Sequence, residues 1–259
     1  MIETASWKSI PDAILLAWQA GQEGGNTVAD ILQGKVNPSG KLPMTFPMKS
    51  TDTASAKNFP DAGSVDPKEM MGSFMGGTDQ PTNRPNIDYT NYEEGIYVGY
   101  RYFDSFKQAV SYPFGYGESY TTFNYAGLKV EPQSKGYRVR CVITNQGEVA
   151  GKEVVQLYVA APGKEMEKPE KELRAFAKTA LLQPGQSEEV VFTLTDADLA
   201  SFDEHNSQWV TEAGHYEAQI GSSAADIRLR GSFECPNNTV IEKVHAVLTP
   251  QQHINLLKR

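Results

Sequence analysis

The chain of 259 residues is long enough for one large domain or two small ones. Its content of 39% hydrophobic and 22% charged residues is that of a folded protein and excludes a disordered one. The formal net charge of −8 argues against a nucleic-acid partner, because a phosphate backbone is bound by a basic surface. No apolar run approaches the ~20 residues that cross a bilayer, so we predict no membrane span.

Residues 1–47 read as one strand, turn and helix unit of an α/β layer. Residues 13–18 form an apolar run of the length expected for a strand that is buried on both faces. After a glycine-rich turn, Asn26 is placed to cap a short helix, and Gly34 is placed to end it. A single such unit is too small to be a whole domain, so we predict a remnant of an α/β domain here.

Residues 48–125 contain no sustained hydrophobic period. Residues 48–90 are polar and rich in Gly, Pro, Asp and Thr, and a structureless stretch of this length is commonly functional. Residues 91–125 are dense in Tyr and Phe interleaved with Gly. We predict an irregular insertion followed by an aromatic junction segment.

Residues 126–235 carry period-two hydrophobic runs separated by turn residues, which is the pattern of an antiparallel β-sandwich. The fold class is therefore mainly β, with an immunoglobulin-like sandwich preceded by the α/β remnant and the irregular segment. Residues 236–259 form a C-terminal extension with a helical candidate around residues 254–257.

Few residues suggest redox, metal or cofactor chemistry. Cys141 and Cys235 do not make a disulfide framework, so we expect reduced, half-buried thiols, with one bridge as the alternative. The four histidines are scattered without a spacing that favours zinc. The glycines of residues 21–25 lack the lysine and hydroxyl of a phosphate loop. We predict no metal site and no cofactor.

Three stretches in order carry a resemblance to a known family. The first comprises residues 12–25 and the NPSGKLP sequence of residues 37–43, the second is YPFGYG at residues 112–117, and the third is EVVQLYV at residues 153–159 with the KEL of residues 171–173. They resemble the end of the α/β-sandwich domain, the junction and the fibronectin type III-like domain of glycoside hydrolase family 3, in its bacterial β-glucosidase branch. Glu118 departs from the junction motif, where the family has Leu.

The resemblance implies a three-part enzyme that retains configuration while hydrolysing β-glycosidic bonds. Its barrel supplies an Asp nucleophile, its α/β sandwich supplies a Glu acid/base, and its fibronectin-like domain is not catalytic. Neither catalytic segment matches any part of this chain, so we assign it no catalytic residue and predict an inactive scaffold. Its expected partners are an N-terminal (β/α)8 barrel and a β-glycoside. For the intact enzyme, a periplasmic or secreted location is favoured over a cytoplasmic one.

Four residues of the aromatic segment are candidate contacts at a substrate rim: Tyr92, Glu93, Glu94 and Tyr97. The glutamates are adjacent acids in a loop, and a solvated loop is the alternative to a sugar contact. On a strand, neighbours point to opposite faces, so the two do not form a facing pair. The tyrosines could stack on a sugar, although packing in a core or a domain junction is the commoner use of such rings.

Two alternatives to the scaffold remain open, a stand-alone carbohydrate-binding or adhesion module and a spacer domain. A dedicated binding module has no reason to carry the strand and helix unit of residues 1–47. If residues 13–18 lack a neighbour, an apolar strand with free edges recruits one. We therefore expect this segment to dock on the aromatic segment or to form a homodimer.

Overall fold

The computed structural model describes residues 2–58 and 90–259. Ahead of the sandwich lie helix α1 (Gly24–Leu32), strand β1 (Phe46–Pro47), helix α2 (Tyr100–Ser105) and strand β2 (Val110–Tyr112). A 3-10 turn covers Ser50–Asp52. Strands β1 and β2 pair antiparallel, so the chain on either side of the insertion is brought together.

Helix α1 is formed, but it starts earlier than the sequence predicts. Glu23 occupies the N-cap position without a capping hydrogen bond, and the Asn26 side chain instead donates to the Glu23 carboxylate at 2.7 Å. The predicted cap at Asn26 is therefore wrong. Gly34 ends the helix as expected, with a φ of +72° that favours glycine and an N–H donated to the Ile31 carbonyl.

The strand predicted for residues 13–18 is not formed with any described residue. Ile14, Leu15 and Trp18 are 42%, 40% and 55% exposed. A strand exists only where a neighbour satisfies its backbone groups, and no described segment lies beside this one. Among the described residues, no backbone hydrogen bond joins this run to the aromatic segment, so the predicted docking is not seen, and most of the run is exposed.

Two antiparallel sheets form the body of the molecule, as predicted. The first sheet consists, in spatial order, of β3 (Phe123–Pro132), β4 (Tyr137–Asn145) and β7 (Ser187–Leu194). The second consists of β11 (Ile227–Cys235), β10 (Gly214–Gly221), β5 (Val154–Ala160) and β6 (Glu172–Lys178). The mainly β sandwich class is therefore confirmed.

Side chains of alternate strand residues point inward and fill the space between the two sheets. In β4 every second residue from Tyr137 to Asn145 is buried, and in β7 the residues Val190, Phe192 and Leu194 point inward. Cys141 and Cys235 lie in this core as free thiols. Burial raises the pKa of the Cys141 thiol to about 11, so it is a small hydrophobic residue at neutral pH.

A third sheet ties the C-terminal extension to the sandwich. It comprises β8 (Ser201–Asp203), β9 (Gln208–Thr211) and β12 (Thr239–Lys243), with β9 in the middle. The predicted helix at residues 254–257 is not formed, because the Leu257 N–H donates to the Glu93 carbonyl instead of to a helical turn. Among the described residues, no helix is long and apolar enough to cross a membrane.

The YPFGYG motif connects the N-terminal segment to the sandwich through hydrogen bonds. Gly115 and Tyr116 exchange backbone hydrogen bonds with Leu42 at 2.8 Å each. On the other side, the buried Gln156 amide donates to the carbonyls of Gly115 and Ser222. One side chain of β5 therefore holds the motif against the sandwich.

We expect Gly115→Ala to destabilise the chain by about 1–3 kcal/mol, as overpacking does. Gly115 has a φ of +79°, and a Cβ there would lie 2.1 Å from Gln156 Oε1. Urea unfolding followed by tryptophan fluorescence measures the change. The matched control is Gly185→Ala, because that glycine has the same φ of +79° but open space around it. Equal losses in the two variants would assign the cost to backbone strain and contradict the contact with Gln156.

Helix α2 is attached to the edge of the second sheet by charged and polar contacts. Lys171 lies 2.7 Å from Asp104, and the Tyr100 hydroxyl accepts the Leu173 N–H at 2.7 Å. Desolvation raises the pKa of Asp104, with Lys171 opposing the shift. These contacts fix the aromatic segment relative to the sandwich and so position the site described next.

Candidate functional site

A cleft of about 410 Å³ lies where the aromatic segment meets the segment after β1. We call it the Glu94 cleft. Its lining comprises Thr51, Asp52, Thr53, Ala54, Lys57, Glu93, Glu94, Tyr102, Phe106, Gln108 and Leu257. Three parts of the chain that are distant in sequence thus share one concave surface.

A tight turn presents both glutamates to this cleft. The Tyr97 N–H donates to the Glu94 carbonyl at 2.9 Å, and Gly95 has a φ of +54°. The glutamates lie in a turn, in keeping with the loop position predicted for them. Both side chains line the same cleft.

The two carboxylates have different surroundings. Glu93 lies 2.7 Å from the Lys57 ammonium, and this hydrogen bond is the main cause that lowers the pKa of Glu93. Glu94 is buried, and its Oε2 atom has no hydrogen-bond partner among the described residues. A buried polar atom without a partner costs about 1–3 kcal/mol, and more if it is charged. Glu94 is therefore the group in the cleft with unsatisfied bonding capacity.

The two candidate tyrosines are placed very differently. Tyr92 is 71% exposed and free to meet another molecule. Tyr97 is fully buried, packs edge-on against Phe106 with centroids 5.0 Å apart, and donates its hydroxyl to Glu167 at 2.6 Å. Burial is the main cause that raises the pKa of Tyr97. Its role is in packing, and its ring is not open to a ligand.

Aromatic rings that the sequence analysis did not single out form a wall of the cleft. Tyr102 and Phe106 lie one helical turn apart at the end of α2, with ring centroids 5.2 Å apart. The i, i+4 spacing was the signal that could have found them. Lys57 and Leu257 carry no such signal, because only the fold brings them here.

A second cleft, of about 320 Å³, lies beside the YPFGYG motif. Its charges are paired internally: Lys41 lies 3.1 Å from Glu153, and Arg228 lies 2.8 Å from Asp226. Glu118, which departs from the family motif, is exposed and accepts the Tyr116 hydroxyl at 2.6 Å. The acid therefore lies at the surface and does not enter an apolar position. Among the described residues, no cluster of His, Cys, Asp and Glu could hold a metal ion.

Two family models match the chain. Residues 1–100 match the glycosyl hydrolase family 3 C-terminal domain, and residues 153–224 match a fibronectin type III-like domain. The chain therefore belongs to glycoside hydrolase family 3 and corresponds to the C-terminal region of its members. The match over residues 1–100 accounts for the N-terminal unit that a stand-alone binding module would not need.

Relatives and solved structures agree with this assignment. Beta-glucosidase A of Butyrivibrio fibrisolvens is 38% identical over 92% of this chain and 29% of its own length. The structure of beta-glucosidase 3B from Thermotoga neapolitana in complex with α-D-glucose has a TM-score of 0.79 and 44% identity, over 93% of this chain and 30% of that one. A Bifidobacterium adolescentis family 3 beta-glucosidase has a TM-score of 0.78 and 32% identity, over 96% of this chain and 33% of that one. The chain thus spans about a third or less of these relatives.

Proposed function

We propose that this chain is the non-catalytic C-terminal scaffold of a β-glucosidase-like enzyme that hydrolyses β-glycosidic bonds with retention. The observation that carries the proposal is that the alignments cover nearly all of this chain but only a small part of each relative. Nearly all of this chain aligns, but it aligns with only 29–30% of Beta-glucosidase A and beta-glucosidase 3B. The partner that we propose for it is the (β/α)8 barrel of the same enzyme, and the substrate is a β-glycoside bound mainly by that barrel.

The surroundings of the acids in the Glu94 cleft support the absence of catalysis. Retaining hydrolysis needs a nucleophile and an acid/base about 5–5.5 Å apart on either side of the bond. Glu93 is paired with Lys57, which lowers its pKa, so it does not have the raised pKa of a general acid. The two other acids that line this cleft are already engaged, because Asp52 accepts the Lys49 backbone N–H and Glu93 pairs with Lys57.

The experiment is to express the chain together with its upstream coding sequence and to assay p-nitrophenyl β-D-glucoside. We expect hydrolysis by the longer protein and its loss when the barrel aspartate is replaced by asparagine. An inactive longer protein that is folded and carries a barrel would refute the proposed activity.

For the domain organisation, we propose an α/β remnant at residues 1–47 and an insertion with the junction at residues 48–125. The fibronectin type III-like domain then covers residues 126–235, and residues 236–259 form an extension. The seven sandwich strands between Phe123 and Cys235 support the third unit, and α1 supports the first. The greater part of the insertion lies outside the described residues.

At the substrate rim, we propose that Tyr92, Glu93 and Glu94 approach a glycoside in the intact enzyme. The exposure of Tyr92 and the opening of both glutamates into one cleft support this role. We propose that Tyr97 stabilises the turn at the rim through its hydrogen bond to Glu167 and does not contact substrate.

We propose that the isolated chain forms a homodimer through residues 13–18, and we expect Leu15→Lys to render it monomeric. A charge in an apolar contact is left desolvated and unpaired, which disfavours association. Sedimentation equilibrium measures the mass. The control is Leu248→Lys, because Leu248 is 94% exposed and far along the chain. A wild-type monomer at all concentrations, or a dimer that survives Leu15→Lys, would contradict this interface.

A further inference from the structure

The Glu94 cleft has the construction of a small-molecule site. Its volume of about 410 Å³ falls within the range of ligand pockets, roughly 300–1,000 Å³. Such sites combine apolar or aromatic walls with a few polar groups that fix orientation. Here the wall is Tyr102 and Phe106, and the polar groups are carried by Thr51, Asp52 and Glu94.

Most of the charge near the cleft is already engaged. Asp52 accepts the Lys49 backbone N–H at 2.8 Å, and Glu93 pairs with Lys57 at 2.7 Å. Glu94 differs, because the residue is only 7% exposed and its Oε2 atom has no hydrogen-bond partner in the part of the chain that the structure describes. A carboxylate oxygen in this position accepts hydrogen bonds and donates none, so the missing partner is a donor.

The aromatic rings that line the cleft with Glu94 restrict which hydrogen-bond donors can bind there. Tyr102 and Phe106 offer apolar faces at the end of α2. A pyranose has C–H faces that pack on such rings and hydroxyls that donate strong, charge-assisted bonds to a carboxylate. A neutral sugar can therefore meet both features of the cleft at once.

We propose that the Glu94 cleft is a sugar subsite, in which a pyranose unit of a β-glycoside packs on Tyr102 and Phe106 and donates a hydroxyl to the Glu94 carboxylate. The choice of a sugar rests on the proposed function. The subsite holds the ligand without breaking a bond, so it requires no second carboxylate. Its place on this chain means that binding is measurable without the barrel.

The test is a titration of the 15N-labelled chain with cellobiose, followed by amide chemical shifts. We expect saturable shifts at Gly95, Phe106 and Gln108, which line or adjoin the cleft. Glu94→Gln is expected to raise the Kd about tenfold, the effect of losing a hydrogen bond to a charged group. Tyr102→Leu should also raise the Kd, and it provides the test if Glu94→Gln does not fold. Glu118→Gln is the matched control, because Glu118 is an exposed acid of the other cleft.

Four results would overturn the subsite: no shifts up to the solubility of cellobiose, shifts confined to the second cleft, an unchanged Kd in both Glu94→Gln and Tyr102→Leu, or tighter binding of choline than of cellobiose. The last would mean that the carboxylate and rings form a cation site. An active longer enzyme with no binding here would refute the subsite alone. Sugar binding by the chain beside an inactive longer enzyme would refute the proposed activity alone.

Discussion

The purified chain is expected to hydrolyse p-nitrophenyl β-D-glucoside no faster than buffer does. Glycosidases owe accelerations of roughly 10⁶-fold or more to groups that act together. Glu93 is paired with Lys57, which lowers its pKa, so it lacks the raised pKa that the acid of such a pair needs. The measurement is release of p-nitrophenol over a day, against a mock purification.

The variants Glu93→Gln and Glu94→Gln distinguish activity of the chain from activity of a contaminant. Any activity that belongs to a contaminant is the same in both variants and in wild type. Activity that is present in wild-type chain and lost in either variant would place a catalytic carboxylate in the Glu94 cleft. The scaffold assignment would then fail, because the reacting groups would lie within this chain.

The second large effect is on stability, and it concerns the buried pair of Lys168 and Glu212. The two groups lie 2.9 Å apart with side chains 5% and 2% exposed, and Glu212 also accepts the Glu165 N–H at 2.9 Å. Lys168→Met leaves the Glu212 carboxylate buried and unpaired. We expect the free energy of unfolding to fall by about 3–5 kcal/mol in urea denaturation.

Two further variants test whether the loss arises from the unpaired charge. Lys168→Met with Glu212→Leu removes both charges and should recover much of the stability, because an apolar pair of similar volume is often tolerated. Lys35→Met breaks an exposed pair with Asp30 and should cost less than about 1 kcal/mol. A double variant as unstable as Lys168→Met would instead assign the loss to packing.

Loop 161–171, which Glu212 holds through Lys168 and Glu165, also carries the contacts to the aromatic segment. Glu167 accepts the Tyr97 hydroxyl and the Arg259 backbone N–H, and Lys171 pairs with Asp104. The sandwich therefore determines where the turn of Glu93 and Glu94 lies.

The amino-acid sequence by itself determined the sandwich, the reduced state expected of the two cysteines, the end of α1 at Gly34 and the family, whereas the full burial of the cysteines came from the fold. Period-two alternation and turn residues act over a few neighbouring positions, so they can be read without the fold. The i, i+4 pair of Tyr102 and Phe106 was equally local, although it was not singled out.

Only the tertiary structure decided the rest. It left residues 13–18 without a strand partner among the described residues, placed the Leu257 N–H against the Glu93 carbonyl, and brought Glu93 and Glu94 to one cleft. Strand pairing, burial of a carboxylate and the lining of a cleft depend on which distant segments become neighbours. Local sequence patterns do not show which distant segments become neighbours. The free energy of each of these features depends on the segment that packs against it.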